Sequence, residues 1–207
     1  MSKDQRSKKK ELYGLVYVFT GEGKGKTTAA LGVGVRAALS GMKVGMVAWY
    51  KSKDWDVAEY RLPNTLPNFQ VFPMGAGFRI RNYESRIMNK TGKQIRLASL
   101  KGGGMATDVA SEKEHREAAR EALGKAKDLV GKVDLLILDE VNNAVKDKLI
   151  NLINLIDLIS KRGKTHLVLT GRDAHRKIIE MADLVTQMRK IKHPYDLGKK
   201  AMRGLDY

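Results

Sequence analysis

The sequence predicts an α/β fold built on one mostly parallel sheet with helices on both faces. Three observations predict it. Short apolar runs alternate with helical stretches along the chain, the order that produces parallel strands joined by helices. In VDLLILDE at 133–140 the four residues 135–138 are continuously apolar and end at two acids, as a strand buried on both faces does. A glycine-rich stretch, TGEGKGKT at 20–27, lies between an apolar run and a helical one.

In chain order, residues 12–19 are β-prone and end at the glycine loop. TTAALGVGVRAALS reads as a helix, with Gly41 placed to stop it. KVGMVAW at 43–49 is a second apolar strand, and FQVF at 69–72 a short one after a polar, aromatic-bearing stretch. Residues 74–110, with the glycines at 102–104, are the least regular part. A charged helix is expected over 111–130. Residues 149–159 are apolar except Asn151, Asn154 and Asp157, so they read as a heavily buried helix. THLVLTG at 165–171 is a strand, followed by a helix near 174–182 and a last strand near 184–188. There is no internal repeat.

The 207 residues, 43% of them hydrophobic, suit one core of ordinary size. We expect a basic tail over 1–11 and one domain over 12–207. With no cysteine, disulfides and thiolate metal sites are excluded, and a reducing cytoplasm fits. MSKDQRSKKKE has no apolar segment behind it, so it is not a secretory signal, and no run approaches membrane-spanning length. A net charge of +16 points to anionic partners: nucleotide, nucleic acid or a membrane surface.

The glycine loop carries the chemistry. It matches G-x-x-x-x-G-K-[ST] everywhere except at Thr20, in the strand–turn–helix setting that gives the pattern meaning, which makes the fold P-loop NTPase-type. Gly21, Gly23 and Gly25 can take positive φ and bring backbone N–H groups to phosphate. The helix beginning near Lys26 adds the positive end of its dipole. Lys26 would neutralise phosphate charge and the Thr27 hydroxyl would sit on Mg²⁺. Such a site needs an acid at the end of a buried strand, and Asp139 and Glu140 close the LLIL run. Arg172, directly after LVLTG, falls on the same rim as a candidate phosphate clamp. Glu22 and a second lysine, Lys24, also stand in the loop. Two lysines could grip a whole triphosphate, which suits that group as a leaving group. No serine–histidine pair for nucleophilic catalysis stands at a strand end.

The sequence resembles the P-loop ATP:corrinoid adenosyltransferases of the vitamin B12 pathway. The resemblance rests on TGEGKGKTTAALG with the following VRAA, on GMKVGMVAWYKS, GAGF at 75–78 and LDE at 138–140, and most strongly on 169–207. In that family the loop reads G-x-G-K-G-K-T-T, so Thr20 is no defect. The resemblance implies a RecA-like fold and a homodimer. It implies ATP and a reduced corrinoid (cobalamin or cobinamide) as substrates, and a reductase that supplies Co(I). Gly21, Glu22, Gly23, Lys24, Gly25, Lys26, Thr27, Thr28, Arg36 and Arg172 would hold ATP, with Lys26 and Arg172 acting on the leaving charge. Thr27, Glu140 and Asp139 would hold Mg²⁺, and Phe78 and Ile80 would lie against the corrin. Ile80 stands where the family usually has tryptophan, and the stretch from about 90 to 110 is longer than usual. The other readings are a RecA-like nucleic-acid-dependent ATPase, favoured by the charge alone, and a non-catalytic nucleotide- or corrinoid-binding protein.

Overall fold

A computed structural model describes residues 13–77, 85–88, 91–99 and 105–206. The tail expected at 1–11, together with Phe78 and Ile80, lies outside the described residues. The first half runs β1 (Val16–Thr20), α1 (Lys26–Leu39), β2 (Val44–Ala48), α2 (Leu62–Thr65), β3 (Phe69–Pro73), β4 (Ser85–Met88), β5 (Gln94–Ser99) and β6 (Met105–Asp108). The second runs α3 (Glu112–Leu129), β7 (Leu135–Asp139), α4 (Val141–Lys146), α5 (Leu152–Ser160), β8 (His166–Thr170), α6 (Arg176–Met181) and β9 (Leu184–Gln187).

Six strands form one sheet in the order β3-β2-β7-β8-β1-β9, every neighbouring pair parallel. The expected α/β architecture therefore holds, and β8 separates the strand of the glycine loop from the strand of Asp139. Alternation along β7 shows why both faces are covered. Leu135 and Ile137 pack with Ala30, Ala37 and Phe69 on the α1 side. Leu136 and Leu138 pack with Ala119 and Ala122 of α3, Leu155 of α5 and Ile178 of α6 on the other. Each such side chain, fully buried, contributes about 1.5–3 kcal/mol. Gly34 lies inside α1 where a Cβ would stand 2.7 Å from the Phe69 ring and 2.8 Å from Ile137. The glycine costs the helix about 1 kcal/mol of propensity and lets it lie close on the sheet.

Residues 74–110 depart from expectation. Instead of irregular chain they contain a three-stranded antiparallel sheet, β4-β5-β6. Strands of four to six residues broken by charges carry too short an alternation to be read locally. This sheet is tied to the main body by a buried contact: His115 Nε2 of α3 lies 3.0 Å from Asp108 Oδ1 at the end of β6. His115 is thus a packing group, although its helix is charged. No helix among the described residues is long and apolar enough to cross a membrane.

Candidate active site

The loop at 21–25 is shaped by glycines pressed against the end of β9. Gly21 has φ 98° and Gly25 φ 114°, both in the left-handed region. Gly23 does not need positive φ; it needs room, because a Cβ there would stand 2.7 Å from the Arg189 backbone. Its amide donates to Met188 O at 2.8 Å, and the Met188 amide donates to Thr20 O at 2.7 Å. The loop is therefore stapled to β9. Gly25 is the N-cap of α1 and supplies no side-chain cap, and the first turn holds no acid. The amides at this helix end are left for an anion. Lys26, only 8% exposed, folds back so that its Nζ donates to Gly21 O and Gly23 O, each at 2.8 Å. Burial pulls its pKa below the usual lysine value, with the Glu140 carboxylate working against that.

Asp139 ends β7 completely buried. Its Oδ1 accepts the Thr27 hydroxyl at 2.9 Å and the Thr170 hydroxyl at 2.7 Å. Its Oδ2 forms an ion pair with Lys51 Nζ at 3.0 Å, without the alignment of a full hydrogen bond. Lys51 also pairs with Glu59 Oε1 at 2.7 Å. Burial opposes the charge on Lys51, but Asp139 and Glu59 outweigh it and raise its pKa. The sequence reading missed this role. Lys51 stands three residues past β2, which pairs with β7 in the register Ala48↔Asp139, so its side chain reaches the carboxylate from the neighbouring strand. Gly75, in the GAGF segment, closes in from β3. Its amide donates to Lys51 O at 2.9 Å, and a Cβ there would lie 2.4 Å from the Lys51 nitrogen.

Glu140 follows in a left-handed conformation, φ 62°, with its amide donating to Thr170 Oγ1 at 2.8 Å. Its Oε2 is buried with no hydrogen-bond partner among the described residues. Burial, and then the charge of Asp139, push its pKa up to about 7. A carboxylate oxygen without a hydrogen-bond partner and the Thr27 hydroxyl, held on the neighbouring Asp139, are hard oxygen donors of the kind that suit Mg²⁺, which is usually bound by one or two carboxylates plus phosphate and water. Asp139 Oδ1 is engaged by Thr27 and Thr170 and its Oδ2 by the Lys51 ion pair, so Thr27 and Glu140 would be the direct donors to a metal and Asp139 would orient Thr27. Tyr50, Glu140 and Asp173 all have positive φ just beyond the ends of β2, β7 and β8. Non-glycine residues in that region cost about 1–3 kcal/mol each and cluster at functional sites.

Two cavities lie beside the loop and the start of α1. One, about 340 Å³, is lined by Glu22, Gly23, Lys24, Lys26, Arg172, Lys190 and His193 among others. Arg172 pairs with Glu22 at 3.1 Å, and its amide is held by Asn143 Oδ1 at 2.5 Å. Lys190 and His193 were not singled out as phosphate ligands in the sequence. They follow β9, whose end is stapled to the loop. The second cavity, about 460 Å³, runs along the exposed face of α1 past Thr27, Thr28, Leu31 and Val35, with Ala58 and Leu62 opposite. Arg36 is exposed on the last turn of α1, about 15 Å along the helix from Lys26. It stands away from the phosphate loop, next to Val35 at the far end of the second cavity. Phe78 and Ile80 lie outside the described residues, so their place against this site stays an expectation.

Comparison with known proteins agrees with this geometry. The family model described as ATP:corrinoid adenosyltransferase BtuR/CobO/CobP matches residues 13–207. The chain is 33% identical over 197 residues to a corrinoid adenosyltransferase of Escherichia coli strain K12, covering 94% of this chain and 86% of that protein. It is 32% identical over 201 residues to the corrinoid adenosyltransferase CobA of Salmonella typhimurium, with the same coverage of 94% and 86%. A corrinoid adenosyltransferase of Pseudomonas aeruginosa is 29% identical over 195 residues, covering 94% of this chain and 84% of that protein. Loop, acid pair and family match converge: the chain belongs to the ATP:corrinoid adenosyltransferase family, a family of transferases.

Proposed function

We propose that the protein transfers the 5′-deoxyadenosyl group of ATP to the Co(I) of a corrinoid and releases intact triphosphate. The observation that carries this reading is one cavity at an uncapped helix N-terminus lined by Lys24, Lys26, Arg172 and Lys190, where Arg172 pairs with Glu22 and Lys190 with Asp196. Four cations in one cavity, three of them now held by exchangeable carboxylates, suit a whole triphosphate as the departing group. The cobalt lone pair attacks C5′, the Co–C bond forms, and the C5′–O bond breaks with its electrons leaving on triphosphate. Cobalt goes from Co(I) to Co(III), and no proton has to be moved from the nucleophile. The chain's task is to bind, orient and neutralise.

Lys26 would leave Gly21 O and Gly23 O to meet phosphate, and Arg172 would leave Glu22 for the same purpose. Thr27 and Glu140 would hold Mg²⁺, with Asp139 fixing the Thr27 hydroxyl. The metal, when bound, neutralises charge developing on the phosphate oxygens. The nucleoside would lie in the cavity along α1, with Arg36 at its far end. The reading also calls for a reductase to supply Co(I), and by family resemblance for a cytoplasmic homodimer. Mixing the protein with Mg-ATP and chemically reduced corrinoid without oxygen tests it. ATP-dependent loss of the Co(I) absorbance is expected; a Co(I) signal indifferent to ATP and protein refutes the reading.

A further inference from the structure

The C-terminal segment returns across the mouth of the site. Asp206 makes an ion pair with Lys24 of the glycine loop. Its other carboxylate oxygen accepts the Met202 amide at 2.6 Å, while the Leu205 and Asp206 amides donate to Met202 O at 3.2 and 2.8 Å, so the acid is presented by a tight turn. On the far side Arg203 pairs with Asp56 at 3.1 Å. Gly204, Leu205 and Asp206 line the cavity along α1. Ala201 and Asp206 line a neighbouring one of about 510 Å³ with Lys51, Trp55 and Glu59. The segment is thus pinned at both ends, to the loop and to the chain after β2, with the nucleoside cavity beneath it.

We propose that Asp206 is an internal competitor for the triphosphate. This inference rests on the phosphate reading given above. A carboxylate on Lys24 occupies the cation where a phosphate oxygen would bind, and a bound triphosphate would repel it. Binding therefore exchanges one anion for another on Lys24 and frees the strap at its loop end. After transfer, Asp206 returns to Lys24 and favours release of triphosphate, a product whose charge would otherwise hold it on four cations. Arg203 acts from a distance, by holding the strap against Asp56.

Binding of inorganic tripolyphosphate to the full chain, followed by calorimetry, tests this apart from turnover. Exposed ion pairs are worth a few tenths to about 1 kcal/mol, so Asp206→Asn should tighten tripolyphosphate binding roughly two- to fivefold. Asp206→Glu should behave as wild type, and Asp206→Asn should gain nothing in a Lys24→Ala background. Arg203→Ala gives the sharpest result: it removes a positive charge from the strap and yet should tighten binding of an anion, because the strap loosens. Unchanged or weaker binding in Asp206→Asn, or weaker binding in Arg203→Ala, overturns the proposal while leaving the phosphate site intact. Failure of the wild type to bind tripolyphosphate at all overturns both.

Discussion

Helix α3 begins at Ser111, whose hydroxyl accepts the Glu114 amide while the Glu114 carboxylate accepts the Ser111 amide. Glu112 and Glu114 sit in its first turn, matched to the helix dipole. Helix α1 begins at Gly25 with no cap, no acid and a buried lysine. Both ends have the same unpaired amides. One has its partners built into the sequence, and the other has its partner left to a ligand. On the proposed reading, stability and binding fall to different helix ends, and that division can be tested.

The largest effect should come from removing the cation at the open end. Lys26→Ala should lower turnover by roughly a hundred- to a thousandfold, as loss of a preorganised charge does, with the fold retained by circular dichroism. Near-normal kcat would remove Lys26 from the site. Next, the open end should be stabilised by its ligand. At about a hundred times Kd, Mg-ATP should raise stability by about 2.7 kcal/mol, a Tm increase on the order of 5–10 °C or less for a chain of this size. The increase should persist in Ser111→Ala and disappear in Lys26→Ala.

Smaller effects belong to the closed end. Ser111→Ala should cost about 1 kcal/mol in urea unfolding and leave KM for ATP unchanged. The capping carboxylate adds a pH dependence. The Ser111 amide, then Lys93, hold the Glu114 pKa down to about 2. Its contribution is therefore fully present above the ordinary carboxylate pKa of 4.5 and is lost as pH falls from there toward 2. Glu114→Gln should flatten that part of the stability–pH curve and change nothing at the ATP site.

Most of the fold was legible because its signals are local. The apolar run before Asp139, the glycine loop and the helix after it each announce themselves within a dozen residues. The acid pair was legible as strand-end chemistry, but not its division of labour. That Asp139 is engaged by Thr27, Thr170 and Lys51 while Glu140 keeps an oxygen with no hydrogen-bond partner among the described residues depends on strand order, which brings β2, β7 and β8 side by side. Lys190 and His193 reach the cavity at the glycine loop only because β9 pairs with β1. Asp206 meets Lys24 through a fold-back that no short pattern encodes. The sheet β4-β5-β6 was hidden for the opposite reason, since its strands are too short to show a period.

The phosphate product of a single anaerobic turnover tests the proposed reaction most directly. With Mg-ATP and a Co(I) corrinoid, one equivalent of triphosphate should form for each Co–C bond made. ADP or orthophosphate appearing in step with the loss of Co(I) would contradict it.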